Sequence, residues 1–526
     1  MSNSSIALRQ IPASMDDWNN YTSEDNCFNL SEVNGVSGGA GFIDNSASVS
    51  GRGPVLVERA AARMDFRDGS PIGERTYHVI YLQDANGKDD ESKPVIDIKL
   101  NKMCLVNMPK QFYYFKRVSN NGLDEINATN QFAICGFEKP WYINANGQYG
   151  ANDGNYVVEV NAPKYATMPT NGLADLFNYS FFDADGTFNV DQVDAPASRW
   201  YVSQISDVLN GETDDTWTNG EGKTGTYKVW RYLTENAIPG IEMQKNGIST
   251  GVVFKGKMLA NTDRLIDLTT IADENSMEYR NAYWSNMLIN TINNADNSLG
   301  KGDDVDPNLY SYAGSVYVTW DNIREAAINA SFSYSFDADG NLVPDWNRTN
   351  SLYKVVFGDG VSGYTMSYKD KDGKEQTYTD SGEPDVNSPN YLYDQWRNTT
   401  SQTTDETKMT YLANFKKAAT GNGITIYQSS YDPQNGWGYY CYYYYWNRHN
   451  DNGKNGIMGP MEFAVIRNNV YKLAVTKIAK LGHPRMSSND PEPPTPNTDD
   501  ETSDVYLTVD AQVIPWVVRV NDITFE

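Results

Sequence analysis

Histidine and cysteine, the residues that most often build metal and acid–base sites, are scarce in this chain. Only three histidines occur among 526 residues, and the four cysteines lack the spacing of metal ligands. We therefore expect no metal centre and no cofactor. Two disulfides are compatible with an oxidising compartment, and buried free thiols fit the sequence equally well. The cysteines are Cys27, Cys104, Cys135 and Cys441.

Basic residues and long apolar runs are also in short supply. The 43 Lys and Arg residues face 68 Asp and Glu residues, which gives a formal net charge of −25. This charge argues against binding to nucleic acid or to anionic membranes, because both need basic patches. No apolar run approaches the roughly eighteen residues that span a bilayer. Residues 1–10 lack the basic and apolar regions of a signal peptide, so either the protein is cytoplasmic or Met1 is not its true start.

Aromatic residues and turn signals are abundant instead. The chain contains 36 Tyr and 12 Trp residues, and Gly, Asn and Asp recur between short apolar stretches. This composition favours short strands and hairpins over long helices, so we predict a mainly β fold. Strands are predicted at residues 54–66, 76–82, 251–259, 315–320, 352–357 and 439–446.

The strand at residues 439–446 (YYCYYYYW) is aromatic on both of its faces, and both are therefore expected to be covered. Downstream, residues 461–467 and 470–481 are predicted to form a hairpin. The intervening Asn468 and Asn469 tolerate the left-handed conformations that a tight turn needs.

Two segments have helical periodicity. Residues 276–294 follow the acidic Asp273 and Glu274, and residues 405–420 precede Gly421, which is predicted as the C-cap. We expect the apolar stripe of each helix to pack into a core. The stripes are Trp284, Met287, Leu288 and Ile292 in the first helix, and Met409, Leu412 and Phe415 in the second.

The end of the chain has a distinct pattern. A linker rich in Pro and Asp, residues 487–503, precedes a segment of strict alternation with Tyr506, Thr508, Asp510 and Gln512 on its polar face. Pro515 interrupts this alternation, and the apolar phase then shifts by one residue. Two strand arms on a semi-rigid tether predict a segment that completes a sheet, either its own or a neighbour's. The apolar positions are Val505, Leu507, Val509, Ala511 and Val513, then Trp516, Val518, Val520, Ile523 and Phe525.

Two motifs could carry chemistry, and both are better explained as turns. Arg448, His449 and Asp451 lie close together in sequence, but residues so near one another on a turn point in different directions. The sequence Asp-Ala-Asp-Gly occurs at residues 183–186 and 337–340 without the further ligands of a calcium loop. We assign no catalytic, cofactor-binding or metal-binding residue.

Several ordered motifs resemble the C-terminal part of the Bacteroidales fimbrillins, the subunits of type V pili. They include YYYYWNRHNDN at residues 442–452, MGPMEF at 458–463, RNNVYK at 467–472 and the terminal WVVRVN at 516–521. Upstream, VERAAARM at residues 57–64 resembles the strand at the junction of the family's two domains.

The resemblance implies a transthyretin-like antiparallel β-sandwich with helical insertions, and a structural role instead of an enzymatic one. The resemblance implies export as a lipoprotein and trimming by a protease that removes the first strand. The groove left empty then accepts a strand donated by the neighbouring subunit. By this resemblance the donor residues are Val505, Leu507, Val509, Val513, Trp516, Val518, Val520, Ile523 and Phe525. The implied partners are further copies of the chain, anchor and tip subunits, and host or bacterial surface ligands. The implied location is a fimbrium at the outer membrane.

The early position of the junction-like strand leads us to expect a truncated N-terminal domain. We expect a remnant of that domain at residues 1–60, a β-sandwich domain with insertions at 61–486, the linker at 487–503 and the donor segment at 504–526. Residues 1–50 should then pack poorly, because the rest of their domain is missing.

Two other classes of protein remain open at this point. A surface glycan-binding β-sandwich adhesin would expose clustered aromatic side chains on a concave face, whereas a fimbrillin would bury residues 439–446. A β-sandwich hydrolase would bring paired carboxylates together in a cleft from distant segments.

Overall fold

The computed structural model describes most of the second half of the chain and parts of the first. The described residues are 59–84, 88–114, 116–119, 122, 132–134, 156–158, 160, 200–201, 227–238, 249–274, 276–295, 308–338, 340–432, 434–450, 452–454, 457–459, 461–484 and 507–515. The predictions for residues 1–50, for Cys27 and Cys135 and for the motif at 183–186 lie outside these residues.

Extended backbone dominates the described chain, as the composition predicts. The strands are β1 (Ala62–Asp68), β2 (Thr76–Gln83), β3 (Asp89–Val106), β4 (Met108–Pro109), β5 (Arg117–Ser119), β6 (Phe132–Ile134), β7 (Tyr156–Val157), β8 (Trp200–Tyr201), β9 (Lys228–Leu233), β10 (Gly251–Ala260), β11 (Asn308–Tyr312), β12 (Ser315–Tyr317), β13 (Phe332–Phe336), β14 (Leu342–Trp346), β15 (Thr365–Lys369), β16 (Glu375–Thr379), β17 (Thr425–Asp432), β18 (Gly436–Trp446), β19 (Asn469–Ile478), β20 (His483–Pro484) and β21 (Leu507–Pro515).

Two larger sheets contain most of these strands. One has four strands in the order β21-β19-β1-β9, and β1 and β19 run parallel within it. The other has eight strands, in the order β12-β11-β17-β18-β10-β3-β2 with β20 paired to β18. The smaller pairings are β4 with β8, β5 with β6 and β7, β13 with β14, and β15 with β16.

The main hydrophobic core lies between the two larger sheets. The ring of Phe66 on β1 lies 6.0 Å from the ring of Phe254 on β10, measured between centroids. The Tyr77 hydroxyl on β2 donates a hydrogen bond of 3.0 Å to the backbone carbonyl of Val475 on β19. Buried residues of both sheets belong to this one cluster. The fold is therefore mainly β, as predicted, and is consistent with a β-sandwich.

Strand β18 lies near the middle of the eight-stranded sheet. Tyr439, Tyr440, Tyr442 and Tyr443 are all at most 2% exposed. The prediction that both faces of this aromatic strand are covered is therefore confirmed for residues 439–443, whereas Tyr444, Tyr445 and Trp446 are half-buried. Cys441, in the same run, is a free and fully buried thiol. Burial raises the pKa of Cys441 to about 11.

Five α-helices accompany the sheets in the described residues. They are α1 (Met277–Asn293), α2 (Trp320–Ser331), α3 (Ser351–Phe357), α4 (Pro389–Arg397) and α5 (Asp405–Gly421), with 3-10 turns at Thr262–Arg264 and Leu268–Thr270. The two predicted helices are confirmed as α1 and α5. Ser276 caps α1 by accepting a hydrogen bond from the backbone N–H of Tyr279. Within the described residues, no helix combines the length and the apolar character that crossing a membrane requires.

The prediction of a strand at residues 352–357 is wrong, because this segment forms α3. The Asn350 side chain accepts hydrogen bonds from the N–H groups of Leu352 and Tyr353, and Gly358 ends the helix with a φ of +66°. A short apolar run is compatible with either structure, so the two helix-end residues decide between them. Similarly, the strand predicted at residues 315–320 ends at Tyr317, and α2 begins at Trp320.

Two details of α5 also differ from prediction. Gly421 is the last helical residue, and Asn422 takes the C-cap position. Phe415 is buried, but Met409 is 62% exposed. The core-facing stripe of α5 therefore begins further along the helix than its sequence indicates.

A second hydrophobic cluster forms among helices α2 to α5 and includes Tyr310 of β11 and Ile426 of β17. The Trp320 side chain is completely buried at its centre. Its ring stacks on Tyr393 at 5.5 Å and meets Phe415 edge to face at 4.9 Å, both measured between centroids. The Trp320 Nε1–H donates to the side-chain carbonyl of Asn390.

We predict that Trp320→Ala destabilises this helical segment strongly. Loss of a fully buried tryptophan should lower the free energy of unfolding by about 3–5 kcal/mol. Thermal and denaturant unfolding followed by near-UV circular dichroism would measure this loss. The control is Trp437→Ala, because Trp437 is 40% exposed on β18. Equal stability losses in the two variants would contradict the packing described for Trp320.

Three charged side chains are buried together in the eight-stranded sheet. Lys102 on β3, Lys255 on β10 and Asp432 at the end of β17 are each at most 3% exposed. Lys102 Nζ donates to Asp432 Oδ2 at 3.1 Å, and Lys255 Nζ donates to the same oxygen. The other oxygen, Oδ1, accepts from the backbone N–H groups of Gln434 and Asn435. Burial opposes ionisation of Asp432, but the hydrogen bonds and the ammonium of Lys255 outweigh it, so the pKa of Asp432 is lowered.

We predict a pH-dependent cost for Asp432→Asn. A carboxyl group whose pKa is lowered by folding stabilises the protein above its unfolded pKa of about 3.9, and that contribution disappears as the pH falls further. The variant should therefore lose about 3–5 kcal/mol of unfolding free energy near pH 7. Its deficit relative to the unsubstituted protein should shrink below about pH 3.9.

Denaturant unfolding at a series of pH values would measure this difference. The control is Asp345→Asn, since Asp345 is exposed on β14, and it should change stability little at any pH. A deficit in Asp432→Asn that stays constant as the pH is lowered would contradict the proposed role of the ionised carboxylate.

Candidate functional site at the sheet edge

Strand β21 lies at one edge of the four-stranded sheet. It runs antiparallel to β19, with Leu507 opposite Ile478 at one end and Pro515 opposite Asn469 at the other. The ladder shifts register between Val475 and Lys477. Within the described parts of the chain, no strand pairs with the outer side of β21. Such an edge presents unpaired backbone groups, which are a template for another strand.

Strand β19 holds β21 in place because β19 is itself an interior strand. On its other side it pairs in parallel with β1, from Arg63 opposite Val470 to Asp68 opposite Val475. Its residues from Asn469 to Val475 are buried, apart from the half-buried Lys472, which is typical of a strand covered on both faces. Leu473, Ala474 and Val475 are at most 2% exposed.

The residues predicted as donors are only partly within the described chain. Val513 is half-buried and packs against the main core, opposite Tyr471 in the ladder. The backbone register places Leu507 and Val509 opposite Ile478 and Val475. The remaining predicted donors, Val505, Trp516, Val518, Val520, Ile523 and Phe525, lie outside the described residues, as does the linker at 487–503.

The predicted apolar face of β21 is incompletely covered. Ala511, which shares the alternation of Val513, is exposed. A methyl group at an edge has no strand beyond it to cover its outer side, so Ala511 gains little burial from β19 alone. The backbone of β21 is thus paired with a strand of its own chain, while its described side chains, Ala511 and Val513, stay exposed or half-buried.

A buried ion pair fixes the entry to β19. Arg467 and Glu235 are both 2% exposed, and Arg467 Nε and Nη2 donate to both carboxylate oxygens of Glu235 at 2.7–3.0 Å. Arg467 Nη2 and Nη1 also donate to the backbone carbonyls of Tyr113 and Tyr114. A fork of parallel hydrogen bonds fixes orientation as well as position. The direction in which β19 leaves this point is therefore set by the ion pair.

The hairpin predicted from residues 461–467 is wrong. This segment forms turns and a single bridge between Val465 and Asn236, and β19 begins after it. Glu462 is completely buried and accepts from Arg448 and from the N–H of Gly459, which holds the turn. Asn468 adopts a φ of +61°, so the predicted tolerance for a left-handed conformation is confirmed at that residue.

The suspected acid–base group at Arg448 and His449 is structural. Arg448 pairs with Glu462 at 2.9 Å, and His449 Nδ1 lies 2.9 Å from the Tyr471 hydroxyl. Burial lowers the pKa of His449 to about 3, and burial raises the pKa of Tyr471. Both groups are therefore neutral near pH 7, and their contact fastens the turn to β19. Asp451 lies outside the described residues.

The second motif also forms a turn. Asp337, Ala338 and Gly340 lie at the tip of the β13–β14 hairpin, where the Asp337 carboxylate accepts from the backbone and side-chain N–H groups of Asn341. Among the residues that can be described, no group of three His, Cys, Asp or Glu side chains is arranged to hold a metal ion.

Sequence reasoning missed the partner of β21 and the ion pair beside it. Alternation identifies a strand, but it contains no information on which other strand will pair with it. Glu235 and Arg467 are each a charged residue beside a strand-like run. Because such residues are almost never buried without a partner, their positions were the available sign of an ion pair, although not of which residues form it.

The region that contains β18, β19 and β21 matches a known family. Residues 438–522 match the family described as major fimbrial subunit protein type IV, fimbrillin, C-terminal. No curated protein matches the chain. The match covers 85 of the 526 residues, so it indicates that this C-terminal region is similar to the structural subunits of fimbriae that the family comprises.

Proposed function

We propose that this chain is a shaft subunit that polymerises head to tail by donor-strand exchange. The donor is the C-terminal segment, residues 505–525, and the acceptor is a groove in the next subunit. The family match at residues 438–522 supports a fimbrial role and includes most of this segment. Because a distal cap need not donate a strand onward, a retained donor favours a place in the shaft.

The incomplete burial of β21 is the observation that carries the proposal. Val513 is only half-buried and Ala511 is exposed, although the backbone of β21 is paired along its length. Burying a large apolar side chain fully contributes about 1.5–3 kcal/mol. A groove in the next subunit that covers the whole apolar face of the segment would therefore stabilise it more than the edge of its own sheet does. If the segment moved from β19 to the groove of a neighbouring subunit, it would form the same number of backbone hydrogen bonds there and bury more apolar surface.

The geometry of such an exchange favours filaments. A donor at one end of the subunit and an acceptor elsewhere make a heterologous interface, which propagates instead of closing. The linker at residues 487–503 contains Pro491, Pro493, Pro494 and Pro496. Pro-rich linkers are extended and semi-rigid, so this one can present the segment at a distance from its own sheet.

Finer details follow from the resemblance of the sequence motifs. We propose that the chain is similar to the major subunit of the short fimbriae of Porphyromonas. Its partners would be further copies of itself, together with anchor and tip subunits and host or bacterial surface ligands. Its fimbria would be anchored at the outer membrane after export of a lipoprotein precursor. The domain boundaries proposed for the chain are 1–60, 61–486, 487–503 and 504–526.

We predict that deletion of residues 504–526 abolishes fimbriae on the cell and leaves the sandwich folded. The buried residues of the main core lie on other strands, among them β1, β3, β10, β18 and β19, and on α1. Among the side chains that the structure describes, β21 adds only the half-buried Val513 to this core. Electron microscopy and resistance of the polymer to boiling in mild detergent would measure assembly. Circular dichroism of the purified subunit would verify its fold. Normal, detergent-resistant fimbriae from the deletion variant would rule out this segment as the donor.

A double substitution tests the same segment without removing it. Trp516→Asp with Val518→Asp should abolish filaments, because each aspartate would bury an uncompensated charge in the acceptor groove. The control is Thr508→Asp with Gln512→Asp, which adds the same charge at the polar positions of the alternation. The control should assemble. Equal assembly, or equal failure, of the two double variants would contradict insertion of the apolar face.

A further inference from the structure

A small cavity opens on the helical segment, away from the sheet edge. Its volume is about 360 Å³, and it lies between α4 and two loops at residues 358–363 and 380–388. This volume is at the small end of the range of about 300–1,000 Å³ for ligand pockets. Its lining includes an apolar part, formed by Phe357, Val361 and Pro384, and a polar part, formed by Tyr391, Asp394, Gln395 and Asn398.

Hydrogen bonds fasten the two loops to each other. Asp380 is completely buried, and its Oδ2 accepts from the backbone N–H and the hydroxyl of Ser362, both at 2.8 Å. Its Oδ1 accepts from Arg348 Nε at 2.9 Å. The backbone N–H of Val361 donates to the carbonyl of Glu383 at 3.2 Å. These bonds tie one wall of the cavity to the other.

Close backbone packing holds the same wall. A Cβ atom at Gly360 would lie 2.1 Å from the backbone nitrogen of Asp385, so only glycine fits there. The walls of the cavity are therefore fixed before any ligand arrives. A preformed site binds with a smaller loss of conformational entropy than one that must be ordered.

Helix α4 presents a row of polar side chains along the cavity. Tyr391, Gln395 and Asn398 are spaced by four and three residues, which places them on one face of the helix. All three are exposed, and Tyr391 is 38% exposed. Within the described chain, the Tyr391 hydroxyl and the two side-chain amides have no hydrogen-bond partner. A side-chain amide both donates and accepts hydrogen bonds, and so does a sugar hydroxyl. Either group can therefore act as the donor to the other.

The remaining lining supplies an apolar floor and negative charge. Phe357, Val361 and Pro384 present carbon surface, and the exposed ring of Tyr391 offers a flat platform beside them. Asp394 lines the cavity and is paired with Arg324 at 3.1 Å, and the lining residues include no Lys or Arg to attract an anionic ligand. Glu383 and Asp385 add further acidic side chains on the adjacent loop. A negatively charged ligand would therefore be disfavoured.

We propose that this cavity binds a neutral saccharide of one or two rings. The ring hydroxyls would bond the amides of Gln395 and Asn398, and the carbon face of the sugar would lie on Tyr391. The site is built from α3, α4 and the adjoining loops, and it shares no residue with the donor segment.

Saturation-transfer NMR and calorimetry on the full chain would test the site, with the methyl glycosides of glucose, galactose, mannose and N-acetylglucosamine as probes. At least one neutral glycoside should bind with a Kd on the order of 1 mM, as expected for a ligand of that size. The methyl glycoside of sialic acid should bind more weakly because it carries a negative charge. Gln395→Ala should weaken the best neutral glycoside about five- to tenfold, and Tyr391→Ala should weaken it at least as much.

Matched controls keep the test specific to the cavity. Gln402→Ala replaces an exposed glutamine outside the lining, and Tyr378→Ala replaces a tyrosine that is 39% exposed on β16. Both should bind like the unsubstituted chain, with unchanged circular dichroism in all four variants. The proposal is overturned if none of the neutral glycosides binds, if the cavity variants bind as well as the controls, or if the sialoside binds best. Binding of a short peptide at this cavity in place of the glycosides would also overturn it.

Discussion

The parallel ladder between β1 and β19 is the pairing on which the four-stranded sheet depends. It joins residues 63–68, near the start of the described chain, to residues 470–475, near its end. The entropic cost of closing a loop rises only slowly with its length, so a large intervening segment is tolerated once this pairing forms. Through it β19 becomes an interior strand with one side left for β21. The edge at which the C-terminal segment lies exists because β1 has taken the other side.

The features that could be predicted from the sequence are those with a local cause. The alternation at residues 505–513 identifies a strand, and β21 was found at residues 507–515, because the period of two is a property of the segment itself. The burial of Tyr439 to Tyr443 was predictable for the same reason, since aromatic residues on both faces require cover on both faces. The two long helices likewise have their periodicity and their N-caps within their own sequences.

The features that could not be predicted depend on distant partners or on a few residues at an end. Residues 352–357 are apolar and short, and Asn350 and Gly358 make them a helix. Residues 461–467 look extended, but Glu462 and Arg467 are engaged with Arg448 and Glu235, which hold the chain in turns. No pattern within β21 indicates β19 as its partner. The cavity beside α4 is formed by two stretches that are distant in sequence, residues 357–362 and 384–398. The polar side chains of α4 line a cavity only because the first stretch packs against the second.

The free thiol at Cys441 has a consequence for the durability of the protein. A thiol reacts with oxidants and with other thiols as its thiolate, and a pKa near 11 leaves almost none of that form near neutral pH. The group is also completely buried in the middle of the eight-stranded sheet. In an oxidising environment the folded subunit therefore keeps this sulfur reduced without a disulfide partner. Mixed disulfides with neighbouring molecules, which would trap them in the wrong arrangement, cannot start from this position while the sheet stays closed.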